Sequence, residues 1–211
     1  MRSDLGIKTN LHHNIWCVGR NYTEHAKEMQ TAVPNSPLFF LKSGSCLNYG
    51  TVIELPTWSK NVHHELELAF LIDENLSFSH ISLALDLTAR DAQDSAKKLG
   101  QPWTLSKSFK GSCPIGSWIN LSDITSLNSL SFTLSINDIP KQSGMAMQMI
   151  FKPDFLLNEA KKFFPVVKHD ILLTGTPSGV GPLTPGDRVS AALYEEKRTL
   201  LTCFWDVLSI E

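Results

Sequence analysis

The sequence predicts a mostly β fold with α+β character. Short segments with the apolar or alternating pattern of strands outnumber helical segments, and clusters of Gly, Pro and polar residues separate them. Two or three segments carry helix start and stop signals instead. Of the 211 residues, 42% are hydrophobic and 19% are charged, so the chain can bury a sizeable core. We therefore expect one domain spanning residues 1–211.

The first half of the chain predicts several strands and one short helix. Residues 15–18 form an apolar run, and Thr23 has the side chain of an N-cap for a helix over about 23–30. Pro34 and Pro37 end that helix. The further strand candidates are apolar runs closed by polar residues or proline, at 38–41, 51–55, 64–72 and 81–87.

The second half of the chain predicts two longer helices among strands. Thr88 and Asp91 have the spacing of a capping box, with Asp in place of the usual Glu, and the helix that they open ends before Gly100. Alternating or apolar runs predict the remaining strands, and Pro153 fits the first turn of the other helix. These elements are the helix at 152–164 and the strands at 131–137, 170–174, 191–194 and 200–205.

Composition and charge exclude several classes of protein. Lys and Arg total 19 against 21 Asp and Glu, a net charge of −2, so the basic footprint of a nucleic-acid-binding protein is absent. No apolar run approaches the roughly 18 residues that cross a membrane. The N-terminus lacks the apolar core of a signal peptide and makes a poor mitochondrial presequence. The four cysteines form no CxxC pair, which favours reduced, buried thiols and a cytoplasmic location.

Three carboxylates occupy unusual positions in predicted strands. Glu65 and Glu67 interrupt an apolar run, and alternation places both side chains on one face, about 7 Å apart. If that face is buried, protonation, a basic partner or a cation must offset their repulsion. Asp86 ends a second apolar run, and the three together would form an oxygen triad suited to Mg²⁺ or Mn²⁺. The alternatives are an edge strand with solvent-facing Glu side chains, and an Asp that caps a loop.

A second group of polar residues could supply acid–base chemistry. His25 and Glu28 are three residues apart on the predicted short helix, so they share a face. A carboxylate that orients a histidine makes a general base, whereas the alternative is an ordinary solvated helix face. Lys107 is a lone cation in a fairly apolar stretch, and its alternative is an ordinary surface lysine.

The segments around these residues resemble motifs of the fumarylacetoacetate hydrolase family, and most closely its acylpyruvase-like branch. Five segments are similar and come in the family's order: 18–28 (VGRNYTEHAKE), 63–67 (HHELE), 85–93 (LDLTARDAQ), 103–109 (WTLSKSF) and 173–181 (LTGTPSGVG). The resemblance implies a mixed β-sandwich roll of the family's C-terminal type. It also implies a single catalytic domain with a short lid helix, usually assembled as a homodimer.

The resemblance implies a metal centre and a catalytic base. Glu65, Glu67 and Asp86 match the positions of the family's Mg²⁺ ligands, and Mn²⁺ is a possible substitute. His25 and Glu28 match a base dyad on the lid helix, which orders over bound substrate.

The resemblance also implies substrate contacts. Lys107 matches the lysine that holds an enolate oxygen. Arg90, Gln93 and Thr176 match positions near the carboxylate end of the substrate. The implied partner is a small 2-oxo acid, with no nucleic acid and no membrane.

These roles favour a metal-dependent hydrolase that cleaves the carbon–carbon bond of acylpyruvates to pyruvate and a carboxylic acid. The family alternatives are oxaloacetate decarboxylase or tautomerase, and a hydroxymuconate-type isomerase or hydratase. A His25–Glu28 base favours the hydrolase, because decarboxylation and tautomerisation need no activated water. A catalytically silent binding protein is the alternative from another class.

The chain departs from the family pattern between two of the motifs. Glu67 and Asp86 are only 19 residues apart, where family members generally carry a longer segment, often with a helix. Residues 73–80 are too few for that helix. We expect that residues are missing from the sequence near 77–81, since both flanking motifs are intact.

Overall fold

Strands are the predominant secondary structure of the computed structural model, which describes residues 14–28 and 34–209. The strands are β1 (Ile15–Gly19), β2 (Leu38–Lys42), β3 (Leu47–Asn48), β4 (Val52–Leu55), β5 (Val62–His64), β6 (Leu66–Ile72), β7 (Phe78–Leu85), β8 (Thr88–Ala89), β9 (Cys113–Pro114), β10 (Ile119–Asn120), β11 (Leu130–Ile136), β12 (Ile139–Met145), β13 (Ile171–Leu173), β14 (Gly181–Pro182), β15 (Arg188–Glu195) and β16 (Arg198–Ser209). The helices are α1 (Thr23–Glu28), α2 (Arg90–Leu99), α3 (Thr104–Lys107) and α4 (Pro153–Phe163). The predicted mostly β class is confirmed.

Two large sheets form the body of the fold. The first has the strand order β10-β7-β6-β13-β1-β2, and the second has the order β12-β11-β15-β16-β4. The first sheet is mixed, because β1 pairs with β13 in parallel while β13 pairs with β6 in antiparallel register. Two smaller sheets, β14-β5-β8 and β3-β9, flank them.

The main core lies where the two large sheets meet. Phe70 of β6, Phe132 of β11 and Trp205 of β16 belong to one buried cluster and are each at most 2% exposed. Strand β11 buries every second residue, as its alternating sequence predicts for a strand with one face on the core. Strand β6 is buried along its whole length, since other elements cover both of its faces.

The predicted strand at 64–72 is two strands in the structure. Strand β5 ends at His64 and β6 begins at Leu66, so Glu65 lies at the break between them. Strand β6 lies between β7 and β13, inside the sheet. The edge-strand interpretation of the Glu pair is therefore wrong, and both carboxylates lie within the fold.

A tight hairpin joins β6 to β7. Asp73 donates its backbone N–H to Ser77 O at 2.9 Å, and its Oδ1 accepts the N–H groups of Asn75 and Ser77, both at 2.9 Å. Strand β7 then pairs with β6, with Glu67 opposite Ala84. The short segment closes the connection without a helix. The expectation of missing residues near 77–81 stays a prediction, because the hairpin shows only that the present residues can close the connection.

Helix α2 begins without the predicted capping box. Thr88 belongs to β8, and its Oγ1 donates to Asp86 O at 3.0 Å instead of capping the helix. Asp91 accepts from Ser59 Oγ at 2.7 Å and from Lys60 N at 2.9 Å, which ties the helix start to the preceding loop. The predicted C-terminal end is confirmed, because Gly100 follows the helix in the left-handed conformation, with φ of 64°.

Helix α1 covers most of the predicted lid helix. It runs from Thr23 to Glu28, while Met29 and Gln30 lie outside the described residues. Across 14–28 and 34–209, no helix is both long enough and apolar enough to span a bilayer.

Candidate active site

Glu65, Glu67 and Asp86 converge at one point of the first sheet. The first two lie at and just after the β5–β6 break, and Asp86 directly follows β7. The Asp86 N–H donates to Glu65 O at 2.8 Å, which aligns the two chain segments. All three residues are at most 5% exposed, and one oxygen from each lies within 4.8 Å of the others. The predicted convergence of the three side chains is found.

Burial and charge affect the acids differently. Burial, and then the Asp86 and Glu65 carboxylates, raise the pKa of Glu67 well above its usual value. Glu67 Oε2 accepts the Gly175 N–H at 2.6 Å. Burial also opposes ionisation of Glu65, but Lys107 and Arg90 outweigh that effect and lower its pKa. The negative charge of the triad is therefore unfavourable in this buried environment unless cations lie close to it.

Lys107, at the end of α3, supplies one of these cations. Its Nζ donates to Glu65 Oε2 at 2.9 Å, Asp86 Oδ2 at 2.5 Å and Thr88 Oγ1 at 2.7 Å. Burial would lower the pKa of this amine, but Asp86 and Glu65 outweigh it and raise the pKa. The surface-lysine alternative is wrong, because Lys107 is 3% exposed.

Lys42 is a second buried cation, and the sequence analysis missed it. Its side chain is fully buried, and its Nζ lies 2.9 Å from Asp86 Oδ1. The same nitrogen donates to the carbonyl oxygens of Leu87 at 3.1 Å and Ser112 at 3.0 Å, and also to Lys107 O. The sequence does contain a clue to Lys42. It is a charged residue at the end of an apolar strand, and the same pattern identified Asp86.

We expect Lys42→Met to destabilise the protein by about 3 kcal/mol, because it removes the cation beside Asp86 Oδ1 and a buried donor that three carbonyl oxygens share. Urea unfolding monitored by circular dichroism measures the change. The matched control is Lys98→Met, since Lys98 is exposed and its loss should change stability by less than about 0.5 kcal/mol. Equal unfolding midpoints for both variants would contradict the role of Lys42.

The triad fits a hard divalent cation. Its donor set is carboxylate oxygen alone, which Mg²⁺ and Mn²⁺ prefer. Asp86 Oδ1 is buried and accepts no hydrogen bond, although Lys42 lies close to it. Ligand oxygens about 2.1 Å from Mg²⁺ are at most about 4.2 Å apart, so the triad would need to contract only slightly. We conclude that these residues could hold a metal ion.

His25 and Glu28 form the predicted pair on α1. His25 Nδ1 lies 3.1 Å from Glu28 Oε2, and the His25 residue is 6% exposed. Glu28 Oε1 also accepts the Gly179 N–H at 3.1 Å. Gly179 has φ of 94°, and a Cβ there would lie 2.0 Å from Lys141 O, so only glycine fits. The solvated-face alternative is wrong for His25, which faces the cavity.

The three predicted substrate-binding residues line the same cavity. Arg90 donates to Glu65 and, at 2.9 Å, to Gln93 Oε1. The Thr176 hydroxyl donates to Leu66 O at 2.9 Å and accepts from Gln142 at 2.8 Å, so the protein already uses it. Gln93 Oε1 also accepts from Lys97 at 3.2 Å, so each of the three already has protein partners, and their contacts with a substrate stay predictions.

One cavity of about 490 Å³, counting its opening to solvent, brings these groups together. The triad, Lys107 and His25 all line it. Its walls also include the cationic and aromatic side chains of Arg20, Phe40, Lys97 and Trp103.

An acidic triad, a buried amine and a histidine–carboxylate pair around one cavity define this chain as an enzyme with the residues for a metal centre. The chain belongs to the fumarylacetoacetate hydrolase family, because the family's C-terminal domain, described as "Fumarylacetoacetate (FAA) hydrolase C-terminal", matches residues 14–203. The predicted family is confirmed.

Three similar proteins illustrate the relationship. The chain is 39% identical over 192 residues to "Oxaloacetate tautomerase FAHD1, mitochondrial" of Bos taurus, covering 86% of this chain and 87% of the relative. It is 40% identical over 191 residues to "Oxaloacetate decarboxylase, mitochondrial" of Dictyostelium discoideum, covering 85% and 88%. Fumarylpyruvate hydrolase from Pseudomonas aeruginosa, crystallised with Mn²⁺ and pyruvate, has a TM-score of 0.86 at 28% identity, covering 94% and 90%.

Proposed function

We propose that this protein is a divalent-metal-dependent hydrolase that cleaves acylpyruvates to pyruvate and a carboxylic acid. The observation that carries the proposal is the His25–Glu28 pair, which faces the cavity that also contains the acidic triad. Such a pair activates water, which hydrolysis requires. A structural relative crystallised with Mn²⁺ and pyruvate supports the metal and the product class.

The residues of the site take separate roles in this reaction. A cation held by Glu65, Glu67 and Asp86, Mg²⁺ or Mn²⁺, would supply Lewis-acid polarisation of the 2-oxo acid oxygens. Glu28 holds His25 through Nδ1, which leaves Nε2 to take a proton from water.

The hydrolysis of an acylpyruvate then needs no reactant besides water. The activated water oxygen forms a bond to the distal carbonyl carbon, and the adjacent carbon–carbon bond breaks. Its electron pair leaves with the pyruvate fragment as an enolate. Lys107 donates a hydrogen bond to the enolate oxygen in exchange for one of its present contacts. The proton on His25 returns to the enolate carbon, which yields pyruvate and the carboxylic acid.

Oxaloacetate tautomerase or decarboxylase is the second candidate. The names of the Bos taurus and Dictyostelium discoideum relatives favour it. These reactions also form an enolate of a 2-oxo acid, so they need Lys107 and the triad. Neither reaction needs an activated water. Decarboxylation needs no base, whereas tautomerisation moves a proton at the carbon beside the ketone, and the His25–Glu28 pair could transfer it.

We expect His25→Ala to separate the hydrolase from the oxaloacetate decarboxylase. It should lower acylpyruvate hydrolysis by about 10²–10⁴-fold, since it removes the general base, while Mg²⁺ binding and any decarboxylation of oxaloacetate remain. The assay compares acetylpyruvate, fumarylpyruvate and oxaloacetate side by side with Mg²⁺. Glu24→Ala on the exposed part of α1 is the control.

Three results would contradict the hydrolase. Unchanged hydrolysis by His25→Ala would remove the base from the mechanism. Turnover of oxaloacetate alone by the wild-type protein would favour the second candidate. If none of the three substrates is turned over in the presence of a metal ion, the alternative of a binding protein without catalytic activity would be favoured.

Assembly and location belong to the same proposal. We propose a homodimer, as the family resemblance implies. The relatives are named as mitochondrial proteins, so they do not support the cytoplasmic location that the sequence predicted. The four cysteines are free and buried, which fits a reducing compartment.

A further inference from the structure

The loop between β13 and β14 contacts both the acidic triad and helix α1. Near the start of this loop, Gly175 donates its N–H to Glu67 Oε2 at 2.6 Å. Near its end, Gly179 donates its N–H to Glu28 Oε1 at 3.1 Å. The loop, residues 174–180, therefore meets a proposed metal ligand at one end and the proposed base pair at the other.

The two ends of the 174–180 loop are held by different sheets. Thr174 donates to Leu68 O on β6, through its N–H at 3.2 Å and its Oγ1 at 3.1 Å. The start of the loop is therefore fixed directly to the first sheet. The later part lies against β12 of the second sheet, where Pro177 packs so closely on Gly144 that a Cβ there would lie 3.0 Å from the proline ring.

Gln142, on β12, makes polar contacts with this later part of the loop. Its amide is 3% exposed and uses two donor and two acceptor positions. Its Nε2 donates to Thr176 Oγ1 at 2.8 Å and to Pro177 O at 2.9 Å. Its Oε1 accepts from Leu66 N at 3.0 Å and lies 2.9 Å from His64 Nδ1. One buried amide thus joins the loop to the β5–β6 break.

The position of Gln142 lets it affect a reaction only through other residues. It is not among the residues that line the cavity. A buried amide with all of its hydrogen bonds made holds its partners in one arrangement, because each lost bond would leave a buried polar group unpaired. Since β6 holds the start of the loop directly, Gln142 matters most for the part that meets Glu28.

We propose that Gln142 is a positioning residue for the His25–Glu28 pair. It fixes the later part of the loop, and the Gly179 N–H in that part holds Glu28. Glu28 in turn orients His25. This inference rests on the proposed function, in which His25 takes a proton from water. The acidic triad depends less on the donor side of Gln142, because it meets the part of the loop that β6 holds.

The variant Gln142→Glu tests this role, because it changes the donor side of the amide and keeps the acceptor side. One glutamate oxygen can still accept from Leu66 and His64. The other faces Thr176 Oγ1 and Pro177 O, and a proton on it can restore only one of the two hydrogen bonds. We expect kcat for acetylpyruvate to fall about ten- to a hundredfold, since small misplacements of a catalytic group have effects of this size. KM and the Mg²⁺ affinity should change less than about threefold.

Two further variants accompany this test. Gln101→Glu is the matched control, because it makes the same substitution at an exposed position outside the cavity, and its kcat should equal that of the wild-type protein. Gln142→Met removes all four hydrogen bonds without placing an acid in the core, and it serves if Gln142→Glu does not fold. Either Gln142 variant, if folded and with wild-type kcat, would overturn the proposal.

A double-mutant cycle with Glu28 distinguishes positioning from a general loss of structure. Glu28→Ala removes the contact with Gly179, so adding Gln142→Glu to it should lower kcat by less than about twofold further. A residue that merely supports the fold would lower kcat by the same factor with and without Glu28. Losses that multiply in the cycle would therefore overturn the proposal, and so would a change in KM alone.

Hydrogen exchange keeps this inference separate from the hydrolase proposal, because it needs no turnover. In Mg²⁺-loaded Gln142→Glu we expect faster exchange than in the wild-type protein for peptides that cover 21–28 and 174–180, and unchanged exchange in β15 and β16. This pattern in a protein that hydrolyses no acylpyruvate would overturn the proposed function alone. Unchanged exchange in 21–28, or faster exchange in every peptide, would overturn the positioning role of Gln142.

Discussion

Replacing Glu67 with Gln should abolish metal-dependent turnover and at the same time stabilise the metal-free protein. Within the described residues, Glu67 is the triad member without an ion pair, and its contact is the Gly175 N–H. Burial and two neighbouring carboxylates oppose its charge. A glutamine oxygen can still accept the Gly175 N–H, but it brings no negative charge to the triad or to a bound cation.

The size of this effect follows from the metal's contribution. Lewis-acid and charge stabilisation are worth several kcal/mol, so we expect kcat/KM to fall by at least about 10³-fold. Wild-type protein at a free Mg²⁺ concentration one hundred times its Kd should gain about 2.7 kcal/mol of stability, and Glu67→Gln should gain almost none there.

Thermal unfolding with and without Mg²⁺ measures both parts of the prediction. Glu54→Gln is a suitable control, because Glu54 is exposed on β4 and lies outside the cavity. Calorimetry that gives Glu67→Gln the same Mg²⁺ affinity as the wild-type protein would rule out the ligand role. A lower melting temperature for the metal-free variant than for the metal-free wild-type protein would contradict the claim that the Glu67 carboxylate destabilises the protein.

Replacing Lys107 with Met should have the second largest effect on turnover. It should change catalysis and metal binding in opposite directions. The Lys107 ammonium is the donor proposed for the enolate oxygen, and removing one such donor costs about 10²–10³-fold in kcat. The same ammonium now neutralises Glu65 and Asp86. Without this ammonium, Glu65 and Asp86 keep more negative charge with which to bind Mg²⁺. We therefore expect Mg²⁺ to bind more tightly while turnover falls.

Stopped assays of pyruvate release and Mg²⁺ calorimetry measure the two changes. The variant should be purified in Mg²⁺, since the cation compensates the buried carboxylates during folding. Lys110→Met, on an exposed lysine three residues away, is the control. Lys107→Arg retains the charge and should fold without Mg²⁺. If both turnover and Mg²⁺ affinity fall in Lys107→Met, the lysine positions the triad and does not act on the enolate.

The acidic triad could be predicted because each carboxylate conflicts with its local sequence. A charge inside an apolar strand, as at Glu67, or directly after one, as at Asp86, needs a nearby partner, and that need is visible without a structure. The His25–Glu28 pair could be predicted from helical spacing, which is equally local.

Other features depend on contacts between distant parts of the chain. The order of the first sheet places β13 between β1 and β6, and no pattern within these strands specifies that order. Lys42 on β2 meets Asp86 after β7 although three strands of this sheet lie between β2 and β7, and no local pattern in the sequence predicts that contact. The predicted capping box is absent because β8 pairs with β5, which holds Thr88 in a strand.

The location of α1 has a consequence for how the site opens. Strand β6, which carries Glu67, is hydrogen-bonded along both edges and buried throughout, so its amides should exchange with solvent only through global unfolding. Helix α1 has six residues, and its far end is held by the Glu28 contact to Gly179. We therefore expect α1, which carries the proposed base His25, to open at a lower free energy than β6, which carries the proposed metal ligand Glu67. Local opening of α1 would then admit substrate and release product while the acidic triad stays assembled.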